Sequence, residues 1–79
     1  MLKKKKPAFI IAFDATIQAM AADRHAAKCG LPGRLIPVPR EITAGCGLAW
    51  KAEPEEEELL LSSFKKAGIK WASTHVLSI

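Results

Sequence analysis

Gly33-Arg34-Leu35-Ile36-Pro37-Val38-Pro39 is an extended-looking stretch that carries two prolines one residue apart. Proline has no amide hydrogen, so a strand hydrogen-bonded on both sides cannot hold two of them. Amide directions alternate along a strand, so the missing donors of Pro37 and Pro39 fall on one side and the segment can still pair through the other. It is therefore read as an edge strand.

Working outward, Ala8 to Phe13 is a short continuous apolar run with two Ile and two Phe, bounded by Pro7 and Asp14. That pattern predicts a buried central strand. Asp14 or Thr16 can cap a helix that runs to about Cys29 and stops at Gly30. Ile17, Met20, Ala21 and Ala27 are its expected buried face, although Ala15, Ala19, Ala22, Ala26 and Cys29 form a second stripe at helical spacing. On the other side of the prolines, a loop from Arg40 to Gly47 leads to Leu48-Ala49-Trp50-Lys51, a short strand that returns along the first to make a long-looped hairpin. Pro54, the glutamates Glu55 to Glu58, and Lys65-Lys66 before Gly68 mark a second helix with complementary charge at each end. Leu60, Leu61, Phe64 and Ala67 are its expected buried stripe. Consecutive glutamates on a helix point around the axis and cannot converge on one ion, so the run is read as a helix start and not a metal site. Ile69 to Ile79, with Trp71, Thr74, Val76 and Leu77, reads as a closing strand.

The order is β-α-β-β-α-β. Lys28-Cys29-Gly30-Leu31 and Lys66-Ala67-Gly68-Ile69 stand at equivalent places in two β-α-β halves. The expected fold class is α+β: a ferredoxin-like two-layer sandwich, one antiparallel sheet with both helices on one face. Its strand order 4-1-3-2 puts the proline strand at an edge.

With 79 residues there is room for one small domain. The net charge of +4 resides in Lys3, Lys4, Lys5 and Lys6; without them eight basic residues face eight acidic ones. Residues 1–6 are thus expected to be a basic flexible tail and residues 7–79 a single domain, with a formally neutral body that offers little attraction to nucleic-acid phosphates. A Lys-rich start before an apolar run also mimics a signal peptide, but Asp14 cuts the run short. No stretch reaches the roughly 18–20 apolar residues of a membrane span. The expectation is a cytoplasmic protein.

Gly45-Cys46-Gly47 has the most unusual local chemistry. Flanking glycines leave a thiol sterically open, permit positive φ, and let backbone amides face a sulfur anion. Arg34, Arg40 and Lys51 against Glu41 leave the surroundings net positive, which suits nucleophilic sulfur. Two readings stand side by side: a presented, reactive thiol, and a small buried hydrophobe.

Arg34-Leu35-Ile36-Pro37-Val38-Pro39-Arg40-Glu41-Ile42-Thr43-Ala44-Gly45-Cys46-Gly47-Leu48-Ala49 resembles the signature of the DUF3343 family of small bacterial proteins, described as selenium/sulfur carrier-like. The Pro-Arg-Glu-Ile-x-Ala-x-Cys-Gly-Leu core carries the likeness, and the family's layout fits nearly the whole chain. The resemblance implies a carrier with Cys46 as the carrying residue; on the residues themselves, amides of the loop around Gly45 and Gly47 and nearby Arg40 would steady a persulfide-type adduct. A cysteine desulfurase or selenium-donor protein would load it, an acceptor protein would unload it, and no metal or organic cofactor would be needed. Where the family is expected to place His or Asn with Ser before the first helix, this chain has Asp14 and Ala15. Asp14 would oppose a negatively charged sulfur.

Other chemistries find less support. Cys29 and Cys46 are expected at opposite ends of the first helix, about 24 Å apart at roughly 1.5 Å per residue, which precludes a disulfide. Cys29 is read as a small helix-end residue, and His25 and His75 as a helix-surface and a strand histidine with no zinc-ligand spacing. There is neither a nucleophile elbow nor a phosphate-binding glycine loop. Phe9, Phe13 and Trp50 could stack RNA bases if exposed, but are expected in the core. The remaining alternative is an interaction module that docks or dimerises through the edge strand, and a homodimer is favoured if Trp50 or Trp71 lies on the open sheet face.

Overall fold

The computed structural model describes residues 6–42 and 45–78. The tail at residues 1–5 lies outside them. The chain forms β1 (Pro7–Ala12), α1 (Thr16–Cys29), β2 (Arg34–Pro37), β3 (Leu48–Ala52), a 3-10 turn (Pro54–Glu56), α2 (Glu57–Lys66) and β4 (Ser73–Ser78). The four strands make one antiparallel sheet in the order β2-β3-β1-β4.

β1 is apolar throughout because both its edges and both its faces are occupied. Ile11 pairs with Trp50 on one side and Thr74 on the other. Phe9, Ile11 and Phe13 meet Trp50, Ala52 and residues of both helices, Ala19, Ala22, Ala26, Leu60 and Phe64, in one buried cluster. The two helices thus cover the same sheet face. Trp50 is fixed within it by donating Nε1–H to Pro32 O at 3.1 Å and standing edge-on to Phe64 at 5.8 Å. Phe9, Phe13 and Trp50 are all buried here, so none of the three rings is available for stacking bases.

The opposite face carries Ala8, Ile10, Ala12 and Ala49, packed under Ile42, Ile36, Val38 and Leu77. Neither tryptophan lies there, since Trp71 also packs against the helix-side cluster. The basis offered for a homodimer through that face is therefore gone. Instead Ile42, from the β2–β3 loop, folds onto the sheet.

β2 is at the edge its prolines require. Between them, Val38 N–H turns inward and donates to Gly47 O at 2.9 Å, which leaves Pro37 and Pro39 directed away from the sheet.

The phase of α1 differs from the expected one. Ala19, Ala22 and Ala26 are buried, whereas Ile17 is 74% and Met20 52% exposed. The sheet face already holds Phe9, Phe13 and Trp50, with Phe64 of α2 packed beside them, so the helix fits against these large groups only through its smallest residues. Nor does Asp14 or Thr16 cap it: the N-cap is Ala15, without a side-chain hydrogen bond. In α2, Leu60 and Phe64 are buried and Leu61 partly so, but Ala67 lies past the helix end and is exposed. The repeated Gly-Leu and Gly-Ile stops have one physical content. Gly30 (φ 67°) and Gly68 (φ 75°) are left-handed, and Leu31 and Ile69 donate to the carbonyls of Ala26 and Phe64, five residues back, at 2.9 Å. Both are helix ends closed by the same cap.

Candidate functional site

The loop that joins β2 to β3 carries Cys46 to the end of β1. The half-buried thiol donates to Phe13 O at 3.1 Å and has a longer contact with Leu48 O at 3.8 Å. Both partners are backbone carbonyls, and the side chain rests against the helix-side core. Ile42 anchors the loop on the opposite face, so the loop crosses the sheet end with one residue packed on each side.

The two glycines serve different ends. Gly47 adopts φ 75° with open space around it, as the reversal into β3 requires. Gly45 has no positive φ; a Cβ there would lie 3.1 Å from Asp14 O, so its role is close approach to the start of the first connection. Arg40 occupies the exposed turn closed by Ile42 N–H to Pro39 O at 3.0 Å, on the same loop but not among the groups touching the sulfur. Arg34 and Lys51 are register partners farther down the β2–β3 ladder.

Sequence reasoning had no means of finding the two carbonyls that hold Cys46, because backbone partners carry no residue signature. Asp14 is the residue whose charge is expected to oppose a sulfur anion. It is exposed, and it borders Gly45.

The second cysteine is the helix-end residue expected, the last of α1. Cys29 is exposed, with Sγ 3.7 and 3.8 Å from the two ring nitrogens of His25. Both thiols are free. His25 is not a surface histidine: it is half-buried between the helices, sharing a 2.9 Å hydrogen bond with Ser63 Oγ and lying edge-on to Phe64. On β4, His75 Nε2 and Ser73 Oγ stand 2.8 Å apart. Among the described residues no three His, Cys, Asp or Glu side chains converge as metal ligands, and no helix is long and apolar enough to cross a membrane.

A family model described as "Putative Se/S carrier protein-like" matches residues 8–76. No curated protein matches the chain. No solved structure does either.

Proposed function

The chain belongs to this Se/S carrier-like family, and on that premise we propose that it carries sulfur or selenium on Cys46 and passes it to an acceptor. The observation that carries the reading is the placement of Cys46: a half-buried thiol with glycine on each side, held at a strand end, among the described residues, by backbone carbonyls.

The chemistry asks for little more. A Cys46 thiolate attacks the terminal sulfur of a donor persulfide; the new Cys46 S–S bond forms as the donor's S–S bond breaks, and the donor departs as a thiolate. The Cys46 proton goes to solvent and no outside oxidant is consumed. An acceptor nucleophile then takes the outer atom by the same exchange, and a terminal selenium is handled alike. Since the thiol proton is committed to Phe13 O, loading begins with rotation of the sulfur away from that carbonyl. Arg40 supplies a cation on the loop for the terminal anion, and α1, uncapped at Ala15, begins three residues past Phe13 with first-turn amides that no side chain satisfies. Gly45 and Gly47 set the loop's approach and its reversal.

The donor in this reading is a cysteine desulfurase or a selenium-delivering equivalent, the acceptor is a second protein, and the setting is the bacterial cytoplasm. Residues 7–79 act as one domain, with a basic tail before them. The strand order, the antiparallel pairing and the shared helix face support a ferredoxin-like sandwich.

The test is intact mass after incubation of reduced protein with a cysteine desulfurase and cysteine. We expect a thiol-reversible gain of one sulfur in wild type and Cys29→Ser, and none in Cys46→Ser. Equal loading of both single variants refutes the assignment.

A further inference from the structure

The residues that sequence patterning placed in the core of α1 form an outward ridge instead. Ile17 and Met20 face solvent, and the same side of the helix continues through Ala21, Arg24 and Lys28 at helical spacing. Most large apolar side chains in so small a protein are needed inside, so two exposed at one helix start call for an explanation.

The ridge borders two shallow hollows that share Ile69. One, of about 280 Å³, includes Arg24, Lys28 and Ala67; the other, of about 450 Å³, includes Lys65, Lys70 and Trp71. The backbone amide of Lys70 donates to Gln18 Oε1 at 3.0 Å, which ties the second hollow to the start of α1. The lining is cationic and apolar, without a carboxylate. Five of the chain's eight acidic residues, Glu53 and Glu55–Glu58, stand at the opposite end of α2, while exposed Asp14 and Asp23 stand before and on α1, outside both hollows.

This surface adjoins the thiol. Ala72 N–H donates to Ala12 O at 2.8 Å, and the Cys46 thiol donates to the next carbonyl, that of Phe13. Ile17 is four residues beyond Phe13. The start of the ridge is thus close in the chain to the carbonyl that holds the thiol.

We propose that Ile17 and Met20, with the cations Arg24, Lys28, Lys65 and Lys70, form the docking surface for the protein that loads Cys46, and that this donor presents an acidic rim around an apolar centre. The inference rests on Cys46 being the loaded thiol. Apolar contact at Ile17 and Met20 holds the complex, while the cations speed encounter and make it depend on salt.

The experiment compares two donors on the full chain: a cysteine desulfurase with cysteine, and inorganic polysulfide, which needs no docking. Sulfur gain on Cys46 is followed by intact mass for wild type, Ile17→Ser/Met20→Ser and Lys65→Gln/Lys70→Gln, with circular dichroism to confirm the fold. We expect desulfurase loading to fall tenfold or more in the first variant. The second should show at least a threefold fall and a flatter decline between 50 and 500 mM salt, while polysulfide loads all three chains at one rate. Desulfurase loading that is unchanged in both variants overturns the docking surface and leaves Cys46 as carrier. Wild type that accepts polysulfide but not the desulfurase refutes this class of donor. Wild type that accepts neither removes the carrier reading and the surface with it. A wild-type dimer that becomes monomeric as Ile17→Ser/Met20→Ser assigns the ridge to a second copy and overturns the proposal.

Discussion

Exchanging residues on the two faces of α1 tests the packing that defines this fold. Ala22 is fully buried against the sheet's aromatic layer, and leucine there adds three carbon atoms where no space exists. Overpacking of this kind costs about 1–3 kcal/mol. In a domain of this length each kcal/mol lowers the melting temperature by about 4–8 °C, so a cost of about 2 kcal/mol corresponds to a fall of roughly 8–16 °C. Ile17 gives the opposite expectation. At 74% exposure about a quarter of it is out of water, which on a scale of about 2 kcal/mol for full burial is worth roughly 0.5 kcal/mol. Alanine returns a few tenths of that through better helix propensity. Ile17→Ala should therefore melt within about 3 °C of wild type. Thermal unfolding followed by circular dichroism at 222 nm, with urea titration for the free energy, measures both variants. If Ile17→Ala costs more than Ala22→Leu, the buried face of α1 is the other stripe and the docking ridge does not exist.

Two substitutions at glycine probe the close contacts. Gly33 has φ 100°, and an alanine Cβ would collide with Trp50 Nε1 and lie 2.6 Å from Lys51 O; strain and clash together should cost on the order of 3 kcal/mol in urea titration, and a loss below about 1 kcal/mol refutes the contact. Gly45→Ala meets Asp14 O at 3.1 Å, so the loop shifts by a few tenths of an ångström while stability stays within about 1 kcal/mol. The Cys46 to Phe13 hydrogen bond should loosen, and the rate of Cys46 alkylation by iodoacetamide should change severalfold; an unchanged rate means that Gly45 does not position the thiol.

Carrier chemistry requires the sulfur to be activated as an anion. Among the described residues the two polar groups that touch Cys46 are carbonyls, which hold a thiol proton but cannot accept a sulfur anion. Activation therefore falls to groups that approach once the side chain turns: Arg40 on the loop, the uncapped first turn of α1, or a residue of the docked partner. A carrier with this arrangement stays quiet until engaged. That fits a surface beside the thiol that is built for a protein rather than a small molecule.

Local chemistry that repeats or forbids was legible from the chain. The Pro37–Pro39 pair excluded a central position, because missing amides on one side leave only an edge, and Val38 between them pairs inward as that argument requires. Gly30 and Gly68 announced two helix ends, and the apolar run through Phe13 announced a strand covered on both faces. Gly45-Cys46-Gly47 marked the thiol, since no other segment presents a cysteine between two residues without side chains. What the chain alone left undecided was the orientation of α1: with six small residues around its circumference, from Ala19 to Cys29, periodicity cannot choose between stripes. The decision lay with partners distant in sequence, the rings of Phe9, Phe13, Trp50 and Phe64, which fill the interlayer space and admit only alanine opposite them. The same holds at the site. The carbonyl of Phe13 becomes a partner of Cys46 only when strand pairing brings β1 beside β3, because a backbone group takes its identity from position and not from residue type.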